Sequence, residues 1–191
     1  MNYFPIKLMY QKLRGVQPKV PWKKLVCNNY ATPRWVFILN LAIQGRLTTK
    51  ERLLRWGMQV KKECVLCGWA DETTSHLFFE RIFSKEIRQR LLNWQGINKH
   101  VKIWEDEIHW ETTEMKGKNS IDEIFRMTIA GAVYYIWQER NLRLFQNKQR
   151  NVISILKEVV QDLFVRGGKK YKLASRLRLK FLSIVSRRDR G

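Results

Sequence analysis

Two cysteines on one short turn are the first residues of this chain that could do chemistry. Cys64-Val65-Leu66-Cys67 places two thiols close together, and His76 follows after eight further residues. Sulfur and imidazole donors at this spacing are what tetrahedral zinc takes from a C-x2-C turn, so Cys64, Cys67 and His76 are the candidate metal ligands. A fourth ligand is expected at position 81, which is Arg81. A guanidinium has no lone pair to offer, and its fixed charge opposes a neighbouring cation. Glu80, Asp71, Glu72, the distant Cys27 or a water are the alternatives for that corner. The competing reading makes both cysteines small buried hydrophobes and His76 a core histidine.

Catalytic uses of these residues fit less well. A thiol nucleophile paired with His76 needs a lowered thiol pKa and a third group to orient the imidazole. Nucleotidyl transfer needs carboxylates that converge on metal ions. No Tyr-x-Asp-Asp run is present. The acidic clusters at 105–107 and 122–123 read as a solvated face and a helix N-terminus. Gly167-Gly168 lacks the strand and spacing of a phosphate-cradling loop. His100 and His109 read as exposed side chains. The expectation is a protein that is not an enzyme.

The charge pattern points to a partner. The 191 residues carry a net charge of +20, and the excess lies at the two ends. Residues 1–62 hold 13 Lys/Arg against the single acid Glu51, residues 166–191 hold ten against Asp189, and the stretch between is nearly balanced. Such ends suit a polyanion, and Lys/Arg contacts to phosphates bind RNA or DNA without reading sequence. The candidate contacts are Lys19, Lys23, Lys24, Arg34, Arg46, Lys50, Arg52 and Arg55 near the front. At the back they are Lys169, Lys170, Lys172, Arg176, Arg178 and Lys180. Trp22, Trp35 and Trp56 are interleaved with the first group and either stack bases or, as expected, pack between short helices. A solvated basic surface is the plain alternative.

Three cysteines, no hydrophobic leader in Met1 to Gly15 and no uncharged apolar stretch longer than Met127 to Trp137 set the compartment. They predict an intracellular chain, nuclear or cytoplasmic, with no secretion signal and no membrane span.

The elements that must position these residues are mainly helical. Pro33 opens a helix that ends at Gly45, and Thr48 or Thr49 caps another that stops at Gly57. Cys64 to Ser75 reads as the knuckle loop, and Ser84 as the cap of a helix reaching Gly96. A long buried helix starts at Ser120, because Ile124, Phe125, Thr128, Ile129, Ala132, Val133, Ile136 and Trp137 repeat at helical spacing. Val152, Ile155, Leu156, Val159 and Leu163 form an amphipathic helix, and a basic amphipathic tail follows. The division is 1–98 for the knuckle-bearing helical domain, 99–119 for a polar connector, 120–166 for a helical hairpin and 167–191 for the basic tail.

With these residues in hand, a likeness is apparent. The run Cys64-x2-Cys67, Glu72-Thr73, His76-Leu77-Phe78-Phe79 and Phe83-Ser84 resembles the zinc-binding domain of reverse transcriptases from plant non-LTR (LINE-type) retrotransposons. Ala31, Pro33, Trp35, Phe37, Gly45-Arg46-Leu47-x-Thr49, Arg52-Leu53 and Trp56-Gly57 agree upstream, and Ile136-Trp137-x-Glu139-Arg140-Asn141 downstream. The resemblance is tight over roughly 20–95 and loose over 96–165. It implies a small helical domain that follows the polymerase and helps to hold template RNA or target DNA. The departures are Arg81 for the last cysteine, Arg88 for a tryptophan after the Phe-Ser segment, and Asn40 for a tryptophan in the first long helix. The partners so implied are RNA or DNA, with docking to a polymerase, self-association or a membrane surface as alternatives.

Overall fold

The computed structural model describes residues 6–15, 20–27, 30–115, 117, 119–168, 175 and 177. The described residues are mainly helical and contain no strand, only an isolated bridge between Glu63 and Asp71. The helices are α1 (Ile6–Arg14), α2 (Lys23–Val26), α3 (Pro33–Ile43), α4 (Lys50–Arg55), α5 (Ile82–Gln95), α6 (Trp104–Glu114), α7 (Ser120–Gln146) and α8 (Val152–Gly167), with a π-helical turn over His76–Glu80.

The 27-residue α7 is the axis of the structure. Its apolar positions run almost all round, and every residue from Ile124 to Val133 is buried. It packs against α3, α5 and α8, and α5 packs against α8 in turn. The closest approach is at Gly131, where a Cβ would stand 2.8 Å from the ring of Trp35 on α3. Trp35 is fully buried there, edge-on to Tyr135. α8 closes the far side with Ile155, Val159 and Leu163, one turn apart and fully buried.

Helix starts follow side-chain chemistry. Thr32 Oγ1 accepts from the N–H of Trp35 ahead of Pro33, Asn119 caps α7 and Asn151 caps α8. Thr49 stands at the N-cap of α4 but makes no side-chain cap. Glu72, 22 residues away, accepts from Lys50 N–H in its place at 3.0 Å. α5 starts two residues before the expected cap: Ser84 lies within its first turn and donates to Leu77 O at 2.5 Å.

Three features were not expected. α1 is a helix where none was read, and stretch 99–119 holds α6. The acidic cluster of α6 is not a solvated face throughout. Glu105 and Asp106 are exposed, but Glu107 and Glu111 are buried against Arg88 of α5, with Glu111 Oε1 2.8 Å from Arg88 Nη2. Asp122 and Glu123 do lie in the first turn of α7, and His100 and His109 are exposed. Of the basic tail, the described residues are Gly167 and Gly168 at the end of α8, and Ser175 and Leu177, both helical, the latter buried.

Candidate metal centre and basic surface

The knuckle is built by a turn and a bridge. Cys67 N and Gly68 N both donate to Cys64 O, at 3.2 and 2.7 Å, and Cys64 N donates to Ala70 O at 2.7 Å. Gly68, at φ 81, lets the chain double back in a left-handed conformation that a Cβ would disfavour. The π-helical turn then brings His76 to the thiols. Thr73 Oγ1 accepts from His76 N at 3.0 Å, which fixes where the turn begins. His76, Leu77, Phe78 and Phe79 are all buried in this turn. Phe79 meets Trp104 edge-on at 5.1 Å, so α6 backs the turn.

These constraints gather the three candidate ligands. The Sγ atoms of Cys64 and Cys67 and a ring nitrogen of His76 lie within 4.8 Å of one another, and Cys67 Sγ is 3.3 Å from His76 Nε2. Donors at tetrahedral zinc bond lengths stand roughly 3.3–3.8 Å apart, so the cluster fits three corners with slight contraction. Burial pushes the Cys64 thiol up. Burial also acts on Cys67, but the N–H groups of Trp69 and Ala70, together with His76, outweigh it and bring that thiol down to about 6.

The fourth corner is different. Arg81 is half-buried and its guanidinium interacts electrostatically with both cysteines. Burial lowers its pKa, and its Nε and Nη1 are buried without a hydrogen-bond partner. None of the other protein candidates joins the cluster. Glu72 Oε1 accepts from Arg140 and Lys50 while its buried Oε2 has no hydrogen-bond partner, Glu80 accepts from Ser75, and Asp71 and Cys27 are exposed. The donor set therefore fits zinc on three sides and meets it with a positive charge on the fourth. When bound, zinc would tie the 64–67 turn to the π-helical turn through Cys64, Cys67 and His76.

Two arginine–carboxylate clusters beside the knuckle escaped the sequence reading, although Glu72, Glu139 and Arg140 stood inside its motifs. Glu72 Oε1 accepts from Arg140 Nε at 3.1 Å and Nη2 at 2.7 Å, as well as from Lys50 N–H. Both side chains are buried, so this contact joins the knuckle, α4 and α7. Glu139 accepts from Arg143 at 2.7 Å and from Arg150 at 3.0 Å, and thereby clamps the loop between α7 and α8. Pairing of two long-range partners from Glu72-Thr73 and Glu139-Arg140 was the available signal.

The basic candidates divide by place. Lys23 and Lys24 are exposed on α2, and Arg34 is exposed on α3 with its guanidinium over Tyr134. Arg46, Lys50, Arg52 and Arg55 surround α4. Arg46 and Arg55 are exposed, while Lys50 donates to Glu63 O at 2.6 Å. That bond draws the following segment, with exposed Lys61 and Lys62, alongside α4. Of the interleaved tryptophans, Trp35 is core, Trp22 is partly buried against it and Trp56 is exposed. Lys19, Lys169, Lys170, Lys172, Arg176, Arg178 and Lys180 lie outside the described residues. No helix among the described residues is long and apolar enough to cross a membrane.

Neither a curated protein nor a solved structure matches the chain. Residues 4–87, just under half of the chain, match the family model zf-RVT, described as zinc-binding in reverse transcriptase, and this stretch, which contains Cys64, Cys67 and His76, is similar to that domain.

Proposed function

We propose that the chain is a non-catalytic accessory module that binds RNA or DNA, derived from the reverse transcriptase of a plant LINE-type retrotransposon and degenerate at its zinc site. The observation that carries this reading is the concentration of exposed cations around α4, beside the matched knuckle. Arg46, Arg55, Lys61 and Lys62 are exposed there. Glu51, the one acid among the first 62 residues, is already paired with Arg55. A surface of this kind binds phosphates by releasing counterions, with little preference for sequence. Filter binding of the full chain to mixed-sequence RNA and DNA across a salt series tests it. Affinity is expected to fall by orders of magnitude between about 50 and 200 mM salt. Absence of binding at the lowest salt overturns the reading.

A second reading, docking to a polymerase or to another copy, is favoured by α1. Its Ile6, Leu8, Met9, Tyr10 and Leu13 are all exposed, and it packs against no other described element. Sedimentation of the purified chain separates the two. A monomer that binds nucleic acid supports the first, and an oligomer indifferent to nucleic acid supports the second.

A further inference from the structure

We infer that Trp56, backed by Arg52, is a stacking platform for an unpaired base of single-stranded nucleic acid. The inference rests on the nucleic-acid reading above and adds the class of strand and the residue that grips it. Among the described tryptophans, Trp35, Trp104 and Trp137 are buried, whereas Trp56 is 57% exposed. Its backbone is held, because its N–H donates to Arg52 O and Leu53 O at the end of α4 and Gly57 follows at φ 77. The indole thus projects from a fixed position without filling the core.

One side of the ring is occupied in a specific way. The Arg52 guanidinium lies over it at 4.8 Å and is pinned by a 2.5 Å hydrogen bond to Gly45 O. A guanidinium stacked on an indole orients it and adds positive potential at the ring. Arg46, Lys61 and Lys62 are exposed and offer cations to the backbone of a strand whose base lies on Trp56, while Arg55 is paired with Glu51. Trp69, the other exposed tryptophan at 74%, lacks this setting: Asp71 and Glu72 follow it and its ring meets His76. Aromatic faces framed by cations are how strands are held without sequence readout. Duplex bases are already stacked on each other and offer no free face, so the occupant is single-stranded.

The test uses the full chain with a short labelled single strand, as RNA and as DNA, and a blunt duplex of the same sequence. Trp56→Ala is expected to weaken single-strand binding about tenfold and to leave duplex binding and the salt slope unchanged, since no charge is removed. Trp56→Phe should retain most of the affinity but lose the part of the tryptophan fluorescence quench that single strands induce in the unaltered chain. That quench gives a readout even if the alanine variant folds poorly. Salt-dependent binding that is indifferent to Trp56→Ala, or equal losses for strand and duplex, overturns the platform and spares the charge reading. No binding by the unaltered chain overturns both.

Discussion

Arg81 shows how one side chain sets the physics of a site without dispersing it. The thiols and imidazole still converge, yet the cation they face is covalently part of the chain. Restoring a thiolate exchanges a repulsive charge for a ligand. Arg81→Cys should therefore raise zinc content, measured by metal analysis after dialysis, towards about one per chain, while the unaltered chain stays well below that. Full occupancy in both would show that Arg81 does not obstruct the corner. Arg88 is the opposite case, a buried cation with carboxyl partners in Glu107 and Glu111. Burial, opposed by Arg88 and aided by Glu107, pushes the Glu111 carboxyl up to about 8 from an ordinary 4.5. Between those values the folded chain keeps a proton that the unfolded chain releases, so this contribution is complete below about 4.5 and is lost as the pH rises through about 8. The melting temperature should fall across that window, and Glu111→Gln, which cannot ionise, should flatten the fall.

Elements in this molecule are placed by contacts of different reach, and that governs what a sequence reader can see. α7 and α8 were legible because periodic apolar residues are a local signal, whereas their asparagine caps were not read. The long helix depends on its approach to α3, which is testable. Gly131→Ala drives a methyl into the ring of Trp35, and the expected loss is about 1–3 kcal/mol in a denaturant titration. A loss below measurement would mean that α3 shifts freely. α6 was not legible because its polar face is buried: Glu107 and Glu111 look like solvated acids until Arg88 and Lys99 are seen beside them. The start of α4 was missed in kind for the same reason, since its capping group is Glu72, far along the chain. The convergence of the three candidate ligands was readable from their spacing, whereas the π-helical turn that delivers His76 was not, because a wide turn leaves no periodic signature over five residues.

At the scale of the whole molecule, a single core draws on nearly every described helix, from Leu25 and Trp35 through Phe79 and Leu91 to Ile136, Leu163 and Leu177. Residues before position 98 and after position 120 contribute to it jointly. The contact between Glu72 and Arg140 is the polar counterpart of that sharing. Removing one member of a buried pair costs about 3–5 kcal/mol, since the other is left charged and dry. Cutting the chain after residue 98 would remove Arg140, Gly131 and Tyr135 together. The shortened piece should show helical circular dichroism but poor chemical-shift dispersion, whereas sharp, dispersed resonances would mean that it folds unaided. The length by which kinship can be recognised and the length that can stand by itself are thus different. An arginine late in the chain finishes the architecture of a motif written long before it, and any transplant of that motif would have to carry its distant keystone along.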